Sequence, residues 1–334
     1  MSSTSRLDEC RVFWSLVERP TCNVHIFLLR VIFAGSWTLK ARCVNPHKSS
    51  GDRGSNLPPI AKRIKTKYWR PGDDFLNITV SSVSGFCHDG DFVVISEKAI
   101  SVAMGRVVDE SKADPSLMAK ALVRVWMKLV WGYFLGPLCR LSNKTQRRLR
   151  IYPIPEGEAH KQITLRYVGF SQSLLYYSEG GIDVTNLPYA FAALPLLNAE
   201  EIGVKILQRV KEGCGKDATV MITDTDKTYS LRGTHITPRP SAIRGIKSLG
   251  LLALVVGRAF RLTARATPLA VCGRRVDVEE ALVVADLADQ ARGYGAGRTV
   301  WDMARRFHVG LTDVTWEMLD RVEHYPIVLV SGVE

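Results

Sequence analysis

Two short runs carry the residues best suited to chemistry: Ser178-Glu179-Gly180-Gly181-Ile182-Asp183 and Ile222-Thr223-Asp224-Thr225-Asp226-Lys227-Thr228. Each follows an apolar, strand-like stretch and puts a carboxylate where a strand would run into a loop. Two such carboxylates can hold a hard cation, and the cation can hold phosphates. The Thr225 hydroxyl adds an oxygen ligand beside Asp224. The pattern is that of a metal-nucleotide site.

The elements that must position these runs follow from the rest of the chain. With 334 residues, 46% hydrophobic and 23% charged, it is long enough for a sizeable core. The net charge of +12 is unevenly spread. Residues 1–70 hold thirteen Lys or Arg against four acids, so the other 264 residues carry only +3. Basicity therefore belongs to the N-terminal segment, and nucleic-acid binding by the main body is disfavoured. Seven scattered cysteines, none in a C-x-x-C pair, read as reduced thiols of a cytoplasmic protein. Val24 to Trp37 is short and broken by Arg30, and Leu117 to Leu138 is interrupted by Lys120, Arg124 and Lys128, so neither is expected to span a membrane.

Residues 1–58 read as a poorly ordered basic extension, or as an upstream frame translated in error. The folded part is expected over 61–332, with a helical insertion at about 112–150. Phe92 to Ser96, Ile163 to Val168, Ala218 to Ile222, Leu251 to Val256, Pro268 to Cys272 and Ile327 to Val330 read as strands. Asp114 to Leu138 is helical by periodicity, with Met118, Leu122, Val125, Trp126, Leu129 and Tyr133 on one face. Lys144 to Arg150 reads as a basic loop. Asn198 with Glu201 and Asp277 with Glu280 are capping-box patterns, the second opening a helix to Arg292; the first helix should stop at Gly213. Thr312 to Glu323 is a last helix, ended by Pro326. Strands and helices interleave without a strict βαβ beat, so the fold class is α+β, or mixed α/β.

Familiar signatures are absent: no Walker loop, no dinucleotide fingerprint at Gly293-Tyr294-Gly295-Ala296-Gly297, no H-E-x-x-H, no G-x-S-x-G. The 293–297 glycines read equally as a lid over a nucleotide or as a helix stop. His160-Lys161 reads as a solvated turn.

What remains is Asp91 to Ser101 with Ala103 to Val108, Gly180-Gly181-Ile182-Asp183 with Asn186, and Ile222-Thr223-Asp224-Thr225. Together these runs resemble the coenzyme F-420-0:γ-glutamyl ligases, most closely archaeal members, which share the extra helix and the Thr299-Val300-Trp301-Asp302-Met303 run. The resemblance covers about residues 61–332. It implies a two-part, β-rich fold with packed helices. It implies addition of L-glutamate to a carboxylate of a deazaflavin coenzyme precursor through an acyl phosphate, with GTP as co-substrate and Mg²⁺ or Mn²⁺ as cofactor. It also implies a homodimer. By position, Asp183, Asp224 and Thr225 would be metal ligands, and Asn186, Thr66, Lys67, Tyr68, Trp69, Glu97 and Lys98 would meet the nucleotide; no catalytic residue is assigned. There are departures. Val102 stands where many members have a lysine, with Lys98 a substitute, and Glu179 and Asp226 add carboxylates near the expected metals. Those departures leave room for a different acceptor on the same scaffold. A non-catalytic nucleotide- or anion-binding protein using its basic arm is the other alternative.

Overall fold

The computed structural model describes residues 59–333 apart from Ser178 and Ser241. The expectations for the basic extension and for Val24 to Trp37 lie outside the described residues. The described chain belongs to a unit spanning Leu57–Glu334.

In chain order the elements are β1 (Ile60–Thr66), α1 (Phe75–Val83), β2 (Phe92–Ser96), α2 (Glu97–Ala103), β3 (Val107–Asp109), α3 (Leu117–Ala121), α4 (Gly136–Leu138), α5 (Asn143–Arg150), α6 (Ile154–Tyr167) and α7 (Phe170–Ser173). Then follow β4 (Phe191–Ala193), α8 (Ala199–Cys214), β5 (Thr219–Leu231), β6 (Thr234–Thr237), β7 (Ile246–Ser248), α9 (Leu251–Ala259), β8 (Thr263–Cys272), α10 (Val278–Arg292), α11 (Val300–Phe307), α12 (Trp316–Asp320) and β9 (His324–Ser331). One sheet runs β1-β9-β2-β5-β6-β7, with β8 also paired to β5. β2 and β5 are parallel and in register from Phe92↔Thr219 to Ser96↔Thr223. β3 and β4 form a separate antiparallel pair. The fold is mixed α+β, as the interleaved elements predict.

Strand alternation explains the layering. Val93, Ile95, Val220, Ile222, Ile327 and Leu329 pack with Ile202, Ile206 and Val210 of α8. Phe92, Val94, Met221, Val328 and Val330 face the other way, against Ala281, Val284, Ala285 and Ala288 of α10. The central strands are therefore buried on both faces, and only their ends are free to build a site.

Several elements differ from the sequence expectation. Ile163 to Val168 lies in α6, where Gly157, His160, Lys161 and Thr164 form a buried face at helical spacing. Leu251 to Val256 is helix α9, with Ala253, Leu254 and Gly257 buried. Both are apolar runs too short for periodicity to separate strand from helix. Lys144 to Arg150 is helical because Ser142 caps it, accepting from Thr145 N. Between α3 and α4 the chain is wound as a π-helix over Leu122–Leu135, so the buried residues are Leu122, Val123, Met127 and Trp131. Met118, Val125, Leu129 and Tyr133, expected on the packed face, are exposed. Asp277 caps α10 as predicted, but Asn198 Nδ2 bonds the Glu201 side chain and caps no amide. α8 runs past Gly213 to Cys214 and ends at Gly215, which is left-handed (φ 64°). The last helix shrinks to α12, capped by Thr315, and Pro326 lies within β9 near a register shift against β1. Among the described residues no helix is long and apolar enough to cross a membrane.

Candidate active site

β5 does not stop at the motif. It continues through Asp224-Thr225-Asp226 to Leu231, and its register against β8 jumps between Asp224↔Thr267 and Lys227↔Ala266. Thr225 and Asp226 are thus the extra residues of a bulge, which corrects the expectation of a strand end. The bulge leaves Thr225 exposed while burying Asp226. Because β2 and β5 are parallel and Ser96 pairs with Thr223, Glu97 and Asp224 emerge side by side, where β2 ends and β5 bulges.

The second run approaches from another direction. Asp183 is bridged to Ala193 of β4, with Ala193 N donating to Asp183 O at 2.8 Å. Its carboxylate accepts from Thr185 N (2.7 Å) and from Lys98 Nζ (2.9 Å), and Lys98 also donates to Thr185 O. Lys98 and Asp183 are each roughly one-third exposed, so this pair faces solvent.

Between the two runs lies Arg239, which the sequence reading did not single out. Its side chain is fully buried. It donates to Glu97 Oε1 at 2.5 Å and lies 3.0 Å from Asp224 Oδ2 and 4.0 Å from Asp226 Oδ2. The guanidinium rests against Gly181, where an added Cβ would fall 1.3 Å from Nη1. Gly181 (φ 94°) is required both by the turn and by this approach. Burial, with the neighbouring Asp224 charge, outweighs Arg239 and lifts the Glu97 carboxyl to about 7. A hint was available: Arg239 sits between Pro238 and Pro240 just after β6, a stiff segment that can aim one side chain.

Arg292, the last residue of α10, is the other missed cation. Its Nη2 reaches Thr223 Oγ1 at 3.3 Å, while Nε and Nη1 are shielded from solvent and have no hydrogen-bond partner among the described residues. Asp224 Oδ2 and Arg239 Nε and Nη1 are likewise without an aligned partner. Buried polar groups are normally satisfied, so this concentration marks the site.

The remaining expected residues divide. Asn186 (φ 58°) clamps the glycine loop: its Oδ1 accepts from Ala296 N (2.7 Å) and Gly297 N (3.2 Å), and its Nδ2 donates to Tyr294 O (3.2 Å). Tyr68 donates to Asn186 O (2.6 Å) and stacks on His324 at 4.3 Å. Trp69 is in the core. Thr66, Lys67 and Tyr68 line an open hollow with Lys65, Arg70, Asp320 and Val322. Glu97 is buried beneath Arg239, its Oε1 also accepting from Leu196 N (2.8 Å). Val102 packs with Leu187 and Ala193, an apolar setting.

Two expectations need correcting. His160 and Lys161 are buried, not in a solvated turn. Glu179 is no spare metal ligand: it receives Lys161 Nζ (2.7 Å) and lies 3.4 Å from His160 Nε2. His160 Nδ1 in turn meets Glu110 Oε1 at 2.6 Å, and Lys161 Nζ donates to Leu175 O. Burial opposes ionisation of Glu179, but the two cations win and hold its carboxyl at about 2. Burial likewise opposes the His160 charge, but Glu110 and Glu179 win and raise it to about 10. This knot anchors the start of the Glu179 to Asp183 turn.

The sequence model of the F420-0:gamma-glutamyl ligase family matches residues 63–273, a span that includes Lys98, Asp183, Asn186, Asp224 and Arg239. An uncharacterized protein of Methanocaldococcus jannaschii is 34% identical over 281 residues, covering 80% of this chain and 94% of the relative. Matched over most of its length, with the matched motifs meeting at the end of β2 and the bulge of β5, the chain belongs to the F420-0:gamma-glutamyl ligase family.

Proposed function

We propose that this protein is an acid–amino-acid ligase that adds L-glutamate to a carboxylate of the deazaflavin coenzyme precursor, with GTP as phosphoryl donor. The observation that carries this reading is the meeting, inside the family-matched segment, of the Asp183 turn, the Asp224 bulge of β5 and Lys98 at the end of the parallel strand β2. The acceptor carboxylate oxygen bonds to the terminal phosphorus of GTP and GDP leaves. The glutamate amine then attacks the acyl carbon, phosphate leaves with the C–O bond electrons, and the amine loses a proton to solvent. Both steps ask the protein for positioning and charge compensation. Lys98, partly exposed and held by Asp183 and Thr185 O, is a cation that can meet a phosphate at this end of β2. The hollow at Thr66, Lys67 and Tyr68 suits the rest of the nucleotide, and Asn186 fixes the glycine loop beside it. We further propose a homodimer, as the resemblance implies.

Mg²⁺ or Mn²⁺ at Asp183, Asp224 and Thr225 fits these residues only in part. Asp183 and the Thr225 hydroxyl are accessible hard donors. Asp224 already faces a buried guanidinium that Gly181 and Glu97 hold in place. A dication there would share the Asp224 carboxylate with that fixed positive charge, which weakens Asp224 as a ligand. Among the described residues no three or more His, Cys, Asp or Glu side chains gather into a cage.

The buried Arg239 beside Asp224 and the apolar setting of Val102 favour a second reading, the same chemistry on a different acceptor. Incubation with the deazaflavin precursor, L-glutamate and GTP, followed by mass spectrometry, separates the two. A product heavier by one glutamyl residue is expected. Product with other carboxylate acceptors alone would favour the second reading, and none with any would refute the ligase assignment.

A further inference from the structure

We infer that the outer side of the helical insertion, from Val125 to Arg150, docks on the surface of an anionic lipid bilayer, lying along it and not crossing it. No helix among the described residues is long and apolar enough to cross.

Three observations carry it. First, the π-wound stretch Leu122–Leu135 is apolar on its inner and its outer side. Met127 and Trp131 pack inward with Leu175 and Leu254. Outward, Val125, Leu129, Tyr133, Phe134 and, just past that winding, Leu138 are each half-exposed or more. They recur every four or five residues, close to the repeat of an i→i+5 helix, so they form one continuous stripe. A helix that is apolar all round is normally covered, and among the described residues this one is covered on one side only.

Second, the charge around the stripe has one sign. Residues 115–155 hold eight Lys or Arg and no acid. Arg124 is paired with Glu158, and Lys144 and Arg148 with Asp302. That leaves Lys120, Lys128, Arg140, Arg147 and Arg150 with no acid at ion-pair distance among the described residues. Arg150 lies instead over the Tyr133 ring, 4.4 Å from its centre. Third, the stripe ends at a hollow of about 320 Å³ lined by Arg140, Arg258 and Arg261 and by no carboxylate. Exposed Leu138 and Phe260 are next in the chain to its lining residues Cys139 and Arg261, so apolar and basic surface are contiguous there. A lipid phosphate suits the hollow while the acyl boundary takes the stripe. A second copy would bring the patch against itself, cation facing cation, because a two-fold contact is isologous. Nucleic acid would take the cations and leave Val125, Leu129 and Leu138 in water.

The test is flotation of the full chain with vesicles, either of phosphatidylcholine alone or of phosphatidylcholine with an equal part of phosphatidylglycerol. Wild type should bind the anionic vesicles at least about tenfold more tightly than the neutral ones, and should be released as salt is raised. Leu129→Gln with Phe134→Gln should lower binding at least about tenfold at unchanged melting, because both side chains are exposed. Arg140→Gln with Arg147→Gln should lower binding to the anionic vesicles at least about threefold and weaken its salt dependence. Absence of wild-type flotation would overturn the inference. Loss of a dimer in Leu129→Gln with Phe134→Gln, read by light scattering, would then give the stripe to a second copy, and binding of an oligonucleotide would give the cations to nucleic acid. Equal flotation of wild type and this apolar variant would place the contact elsewhere, the basic residues 1–58 included, and would overturn it as well.

Discussion

Two buried charge knots flank the same turn, and they are built differently. In the first, Glu110, His160, Glu179 and Lys161 alternate in sign and face one another. Lys161 also finds a backbone carbonyl. In the second, Arg239 draws Glu97, Asp224 and Asp226 around one guanidinium, yet leaves N–H groups and an Asp224 oxygen without aligned partners, while Arg292 waits close by. A satisfied buried network specifies a conformation, whereas an unsatisfied one is poised for something that is not protein. The first knot holds the turn in place; the second faces the chemistry.

The largest expected effect breaks the first knot. Glu179→Ala leaves Lys161 and His160 buried with one acid removed, and should cost about 3–5 kcal/mol in denaturant unfolding. A loss below about 1 kcal/mol would mean that the knot contributes little. Gly181→Ala should come next, because its methyl group would displace Arg239 and would also sit at a left-handed φ. Overpacking of this kind costs about 1–3 kcal/mol, and the second knot should lose its geometry as well. Unchanged melting together with unchanged nucleotide binding would contradict the close approach of Arg239.

The pH dependence sharpens the contrast. His160 is raised in the fold, so its contribution is complete below its ordinary value of 6.5 and fades as pH rises toward about 10. Glu179 is depressed, so its contribution is complete above 4.5 and fades as pH falls toward about 2. Glu97 behaves in the opposite sense to Glu179. Its carboxyl is raised to about 7, so ionising it costs stability as pH climbs from 4.5 to about 7. Glu97→Gln should flatten the stability profile over that interval and leave the flanks alone, as a urea series across pH would show. An identical slope in the variant would remove Glu97 from the account. The smallest effect is local: Asn186→Ala should raise amide exchange in 294–297 with a stability change of about 1 kcal/mol.

Much of this was legible in the sequence, and the rest was hidden for identifiable reasons. Phe92 to Ser96 and the start of β5 announce themselves as continuous β-branched runs, and they position Glu97 and Asp224. Asp183 and Lys98 were marked by motif and do lie together. The bulge at Thr225-Asp226 was not visible, because a strand that continues through polar residues looks like one that ends. α6 and α9 were misread because short apolar runs fit both periods. Arg239 was missed for a different reason. Its partner Glu97 is 142 residues away, and a single arginine has no spacing to betray it. The same holds for the knot at His160 and Lys161, whose partners arrive from two other segments, Glu110 and the stretch from Leu175 to Glu179.

The most direct test of the central claim is transfer of labelled L-glutamate into an acid-stable amide by wild type and by Asp183→Asn, with melting measured on both. The substitution should leave melting nearly unchanged, because Asp183 is partly exposed, and lower transfer at least about a hundredfold. Equal transfer by the two proteins would contradict it.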